Sequence, residues 1–188
     1  FDSYYQLLTS RAGEAELEGF WDAITTNETF FFRTGSHFDW FRNQYLKNIA
    51  NDRLASRRSP TLRIWSAACS SGEEVYSIAM CIEEAGNRFQ DWQLTLLGTD
   101  ISQSTLQAAR AGVYHSRNMQ ELDQTLINRY FIEDKPDQYR VRPSLARMVR
   151  FQFHNLLNPM NEPPFDCIWL RNVLIYFDRE SKAKVLAN

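Results

Sequence analysis

Residues 62–74, Leu-Arg-Ile-Trp-Ser-Ala-Ala-Cys-Ser-Ser-Gly-Glu-Glu, decide the fold class. Leu62 to Ala68 is an apolar-rich run of strand length, and it runs into small residues and one glycine. Past Glu73 and Glu74, Val75, Ile78, Ala79, Ile82 and Ala85 recur on one helical face, and Gly86 can end that helix. The stretch therefore reads as strand, turn and helix. Small residues in such a turn let the backbone approach a ligand at a helix N-terminus.

Working outward, the alternation repeats. Leu94 to Leu97 form a second strand that reaches Thr99 and Asp100, and a helix from Ser102 to about Ala111 is stopped by Gly112. Met119 to Phe131 reads as a helix, Tyr139 to Arg142 and Met148 to Phe153 as strands, and Phe165 to Leu170 as a nearly continuous apolar strand suited to the middle of a parallel sheet. The class is α/β, doubly wound. The two strands flanking Pro143 are expected to form a small antiparallel insert. Residues 51–60 are polar, basic and end in Pro60, which makes them a linker. Upstream, Ser36 with Asp39 starts a helix whose buried face carries Phe38, Phe41, Tyr45 and Ile49.

Bulk properties exclude several classes. The chain has 188 residues, 44% hydrophobic and 23% charged, enough to bury a core as a soluble globule. A net charge of −2 provides no field for gripping nucleic acid. Apolar runs such as Cys167 to Leu170 fall far short of the roughly 20 residues that span a bilayer, and no signal-peptide pattern opens the sequence, so no membrane insertion is expected. Cys69, Cys81 and Cys167 are odd in number and widely spaced in apolar segments, which reads as reduced thiols in a cytoplasmic compartment, without metal. His37, His115 and His154 lack ligand spacing and are read as structural.

Several segments carry the chemistry. In the first turn Glu73 and Glu74 would repel a pyrophosphate and suit a cationic ligand such as S-adenosylmethionine, with its ammonium and sulfonium; the alternative, complementing the helix dipole, fits Glu74 better than Glu73. Asp100 ends the second strand, where an acid commonly accepts hydrogen bonds from ribose hydroxyls, though it could also serve as a helix cap. Arg171 and Asn172 follow the last apolar strand, and polar groups at that end of a strand project into the crevice where open sheets bind ligands. Thr25 to Arg33 sets polar residues against Phe30, Phe31 and Phe32, an odd mix for a plain amphipathic helix, and the three phenylalanines themselves are read as core aromatics. Arg140, Arg142, Arg147 and Arg150 form an acid-free basic stretch that could meet an acidic partner or be a solvated strand face.

Taken together, Thr25 to Arg33, Trp65 to Glu74, Gly98-Thr99-Asp100-Ile101 and Phe165 to Phe177 resemble the CheR family of S-adenosylmethionine-dependent glutamate O-methyltransferases that act on methyl-accepting chemotaxis receptors. The resemblance runs over nearly the whole chain. It implies a Rossmann-like methyltransferase domain over 61–188, preceded by the end of a helical domain at 1–50, with a small antiparallel β-subdomain at about 131–153 that can dock on receptors. It implies that Asn27, Thr29, Arg33, Glu73, Asp100, Asn155, Leu156, Arg171 and Asn172 surround the cofactor, and that Arg33 and Tyr176 act near the methyl transfer. The loop Glu133 to Gln138 is short beside members that grip a receptor tail peptide. The resemblance also implies further C-terminal strands that this sequence lacks, so the chain is expected to be a truncated piece of its domain.

The reaction implied is displacement at the sulfonium methyl by a receptor glutamate, giving a γ-glutamyl methyl ester and S-adenosylhomocysteine. A glutamate is already ionised at neutral pH, so no general base is needed. Two other readings compete: a non-catalytic S-adenosylmethionine-binding or receptor-docking module, which intact Arg33 and Tyr176 disfavour, and a small-molecule methyltransferase, which would want a lidded apolar pocket.

Overall fold

The computed structural model describes residues 2–10, 13, 16–17, 19–20, 23 and 28–188. Seven strands are present among them: β1 (Thr61–Ala67), β2 (Gln93–Asp100), β3 (Val113–His115), β4 (Phe131–Lys135), β5 (Gln138–Val141), β6 (Val149–Phe153) and β7 (Cys167–Leu170). The helices are α1 (Asp2–Leu8), α2 (Gly35–Trp40), α3 (Leu46–Leu54), α4 (Glu73–Glu84), α5 (Gln103–Ala111), α6 (Gln124–Tyr130), α7 (Pro143–Ala146) and α8 (Arg179–Ala187).

Four strands make a parallel sheet in the order β6-β2-β1-β7. The chain steps from β1 to β2 to β6 in one direction and then returns to the other side of β1. That reversal places a topological switch point between β1 and β7, with a crevice at the carboxyl ends of those strands. Leu62, Ile64 and Ser66 of β1 are fully buried and Trp65 and Ala67 nearly so, because both faces are covered. One face carries the large core of α2, α4 and the small sheet; the other carries Trp65, Ala67, Leu97, Leu156 and Val185 of α8. The α/β, doubly wound reading holds.

Local chemistry explains the element ends. Ser102 caps α5 by accepting the Thr105 N–H at 3.1 Å, and Gly112 ends it at φ 60°. Asp123 caps α6 by accepting the Leu126 N–H at 2.8 Å. That cap starts the helix at Gln124, later than the expected Met119, and Phe131 opens β4 where the helix was expected to finish.

Two expectations about strand partners are corrected. Met148 to Phe153 was expected to pair with Tyr139 to Arg142 in the small sheet. Instead β6 lies parallel to β2, and the antiparallel sheet is β3-β5-β4. The reason is local: Pro143 sits at the start of α7, so the chain makes a helical step rather than a hairpin between β5 and β6. Phe165 to Leu170 was expected in the middle of the sheet. Among the described residues β7 pairs only with β1, and Ile168 is 53% exposed.

The aromatic helix also departs from its expected face. Phe38 and Phe41 are fully buried, but Leu46 and Ala50 continue the face in place of Tyr45 and Ile49. A π-helical turn over Phe41–Tyr45, in which the Leu46 N–H bonds to the Phe41 carbonyl, adds a residue and rotates α3 relative to α2. Phe38 stacks on Trp169 of β7 at 4.8 Å, and Phe41 meets it edge-on at 5.4 Å. The expected linker at 51–60 is helical as far as Leu54, and beyond it Arg58 is anchored to Asp166 at 3.0 Å.

Candidate functional site

A cavity of about 310 Å³ opens at the switch point, on the carboxyl ends of β1, β2, β6 and β7. Its walls come from four turns and a strap. Ala68, Cys69 and Ser70 follow β1; Asp100 and Ile101 end β2; His154, Asn155 and Leu156 follow β6; Arg171 to Val173 and Ile175 to Phe177 follow β7; and Glu28, Thr29, Phe30 and Arg33 form the strap across them.

The turn after β1 holds an unusual backbone. Ala68 and Ser70 both have positive φ, at 63° and 49°, before Gly72 at 93°. Left-handed backbone costs a non-glycine residue on the order of 1 kcal/mol, so the surroundings must hold it. They do: the Cys69 N–H bonds to the Thr99 carbonyl at 2.8 Å, the Ser70 N–H to Asp100 Oδ2 at 2.8 Å, and Tyr114 Oη–H to the Ser71 carbonyl at 2.7 Å. Close approach is also required. A Cβ on Gly98 would lie 2.9 Å from the Phe151 ring and 3.0 Å from Cys69 Sγ.

Asp100 thus ties two turns together, since Oδ1 accepts the Ser102 N–H at 3.0 Å. The cap of α5 is Ser102, which leaves Asp100 a cavity residue fixed by backbone donors.

The two turn glutamates separate. Glu74 faces the cavity, where it accepts Ser66 Oγ–H at 2.8 Å and pairs with Arg171 at 3.0 Å. Burial pushes its carboxyl above the ordinary range, against the pull of Ser66 and Arg171. Glu73, expected among the cofactor contacts, is fully buried away from the cavity. It accepts from Ser71 Oγ at 2.7 Å and Asn118 Nδ2 at 3.0 Å, and burial raises it to about 7. Consecutive residues on a helix point about 100° apart, and here Glu74 lines the cavity while Glu73 points away from it.

Arg171 lies over the rings of Phe38 and Trp169 and donates to the Arg33 carbonyl at 2.6 Å, linking the β7 turn to the strap. Asn172 holds φ 56°, which turns the chain into the short helical turn Leu174–Tyr176 at the cavity mouth. Tyr176 is 58% exposed there. Arg33 also lines the cavity, and its Nη1 donates to the Glu28 carbonyl.

Of the expected site residues the structure brings together Thr29, Arg33, Asp100, Asn155, Leu156, Arg171, Asn172 and Tyr176. Glu73 is excluded, and Asn27 lies outside the described residues. Sequence reasoning passed over Glu28, Phe38 and Ile175 as cavity residues. His154, read as structural, also lines the cavity; its place immediately before Asn155 was the available signal. Burial lowers its pKa, so it is neutral near pH 7. Cys69 reaches the wall too, but burial pushes its thiol well above the ordinary value, which removes it as a nucleophile. The basic stretch is partly neutralised, with Arg140 on Asp134 at 2.7 Å and Arg150 on Glu162 at 2.6 Å.

The lining carries Glu28, Glu74 and Asp100 against Arg33 and Arg171. With Arg171 already paired to Glu74, the rest of the lining holds two acidic residues and one arginine. This donor set disfavours a phosphate and fits a nucleoside that bears positive charge together with one carboxylate. Among the described residues no cluster of histidine, cysteine or acid could hold a metal, and no helix is long and apolar enough to cross a membrane.

Comparison with known proteins adds sequence relationships. Residues 27–188 match the family described as CheR methyltransferase, SAM binding domain. The chain is 38% identical over 187 residues to a chemotaxis protein methyltransferase of Borreliella burgdorferi, covering 97% of this chain and 65% of that protein. It is 41% identical over 167 residues to one from Listeria monocytogenes, covering 88% and 60% respectively, and 36% identical over 192 residues to one from Escherichia coli, covering 99% and 63%. The chain thus spans under two thirds of the length of these relatives.

Proposed function

The chain belongs to the CheR methyltransferase family, and from that premise we propose that its cavity binds S-adenosylmethionine and that it methylates glutamate side chains of chemotaxis-type receptors. The observation that carries the reading is Asp100, clamped by the Ser70 and Ser102 amides at the floor of an acidic cavity on the switch point. S-adenosylmethionine, when bound, would supply a sulfonium methyl for a glutamate carboxylate to attack, the methyl–sulfur bond breaking as the ester bond forms, to give a γ-glutamyl methyl ester and S-adenosylhomocysteine.

The chain's own residues have distinct parts. Asp100 accepts from the ribose hydroxyls, and Asn155 and Leu156 border the base. Glu74, held by Ser66 and Arg171, sets a negative potential toward the cationic end of the cofactor. Arg33 has no carboxylate partner among the described residues, so its guanidinium can hold a carboxylate of cofactor or substrate by paired hydrogen bonds. Tyr176 at the mouth can donate to the acceptor glutamate. None of these groups takes a proton from the nucleophile, which is ionised at neutral pH. Their work is alignment and exclusion of water, and alignment can contribute several kcal/mol. Receptors of this kind present their glutamates in the cytoplasm, which is where this reading places the chain, in the adaptation branch of a signal-transduction pathway.

A radiolabelled methyl-transfer assay on receptor-containing membranes tests the reading. Base-labile methyl incorporation is expected, and Arg33→Ala is expected to reduce it by about tenfold or more at saturating cofactor, the loss of one charge-assisted contact. Undiminished transfer by Arg33→Ala would remove its role.

A further inference from the structure

Asn118 lies on the short helical turn Ser116–Met119, outside the cavity lining, yet it joins segments far apart in sequence. Its Nδ2 donates to Glu73 Oε1 at 3.0 Å and to the Thr29 carbonyl at 3.3 Å, which uses both amide hydrogens. Its backbone carbonyl accepts the Phe31 N–H at 2.9 Å, and its Oδ1 accepts the His115 N–H at the end of β3 at 3.3 Å.

The strap needs such a tether. Thr29, Phe30 and Arg33 line the cavity, while Phe32 and the following Thr34 sit at φ 55° and 63°, a backbone that neither residue adopts unless its surroundings impose it. Besides the Arg171 bond to the Arg33 carbonyl, two contacts in its middle hold it down. The Phe32 N–H bonds to Ser77 Oγ at 3.0 Å, and Phe31 packs edge-on to Tyr114 at 4.8 Å. The only one of these ties that reaches the turn beginning α4 through a buried carboxylate is the link from Thr29 through Asn118 to Glu73.

We propose that Asn118 is a positioning residue, clamping the strap Thr29–Arg33 to the buried carboxylate of Glu73 and so fixing the strap wall of the cavity. The proposal rests on reading that cavity as the S-adenosylmethionine site. It also accounts for Glu73, a fully buried acid whose two side-chain partners are Ser71 and Asn118.

The test compares Asn118→Ala with Asn118→Asp by calorimetric titration with S-adenosylhomocysteine at pH 8 and pH 6, each against the unmodified chain at the same pH. Asn118→Ala is expected to weaken binding about tenfold or more at pH 8, the loss of a hydrogen bond to a charged group, and by less at pH 6, where Glu73 is largely protonated. Asn118→Asp sets two carboxylates about 3 Å apart, so it is expected to bind poorly at pH 8 and to recover about tenfold at pH 6, where one shared proton restores a donor. A role limited to general packing would show no such recovery. Equal affinity of both variants and the unmodified chain overturns the proposal, and so does Asn118→Asp that is equally weak at both pH values. Amide hydrogen exchange at Phe31 and Phe32 reads the clamp without any ligand: Asn118→Asp should protect them less at pH 8 than at pH 6. If the unmodified chain binds no S-adenosylhomocysteine while this exchange pattern holds, the functional reading fails and the clamp stands; unaltered exchange overturns the clamp.

Discussion

Replacing Arg171 by methionine should be among the most costly single changes at the site, and the cost should depend on pH. Arg171 and Glu74 are only 12% and 16% exposed and lie 3.0 Å apart. Breaking a buried pair by removing one partner leaves an uncompensated charge, at about 3–5 kcal/mol. The lost hydrogen bond to the Arg33 carbonyl adds about 1 kcal/mol, while methionine retains most of the packing against Phe38 and Trp169. Against a total stability of roughly 5–15 kcal/mol this is a large fraction. Burial already raises the Glu74 carboxyl, and without Arg171 it rises further, so lowering the pH lets Glu74 take a proton and escape the penalty. Urea unfolding of Arg171→Met should therefore give a loss of about 4–6 kcal/mol at pH 8 and a smaller loss at pH 5. The double variant Arg171→Met with Glu74→Gln should be more stable than Arg171→Met at pH 8, since an amide still accepts from Ser66 and carries no charge. A loss under about 1 kcal/mol at pH 8, or the same loss at both pH values, would refute the buried-pair reasoning.

Three further outcomes are expected. Gly98→Ala should lower stability by about 1–3 kcal/mol in urea unfolding, because the new methyl would press on Phe151 and Cys69; an unchanged midpoint would contradict that packing. Glu73 titrates near 7 in the fold against an ordinary value of 4.5, so the folded state holds its proton more tightly. Its contribution is fullest below about pH 4.5 and declines by up to about 3 kcal/mol as pH rises to 7, after which it is flat. Glu73→Gln should remove that slope from the thermal unfolding profile, and parallel profiles would count against the raised value. Asp100→Ala frees the Ser70 and Ser102 amides and should lower stability by about 1–3 kcal/mol; a melting temperature equal to that of the unmodified chain would mean that those bonds do not hold the turns.

The parts of the fold legible in the sequence were those set by local pattern. The apolar run before Gly72, the face from Val75 to Ala85 and the Ser102 and Gly112 helix limits each depend on residues within one turn of each other. That Asp100, Arg171 and Asn172 would line the cavity was legible because the end of a parallel strand is itself a position. Features that depended on tertiary geometry were hidden. Which of Glu73 and Glu74 faces the cavity is decided by the left-handed Gly72 that launches α4, and both carboxylates read alike in a string of letters. The π-turn at Phe41–Tyr45 shifts the buried face by one residue, although Tyr45 and Ile49 fit a regular helix well. The pairing of β6 with β2 depends on contacts such as Phe151 against Gly98, more than fifty positions apart. Asn118 sits in no motif, and its importance lies wholly in partners 45 and 89 residues away.

Calorimetric titration with S-adenosylhomocysteine tests the central claim most directly. The chain should bind one equivalent with micromolar affinity, and Asp100→Ala, which removes the carboxylate that reaches the ribose, should weaken binding by about tenfold or more. Binding undiminished by Asp100→Ala, or absent from the folded chain, would contradict the assignment of the cavity at the switch point.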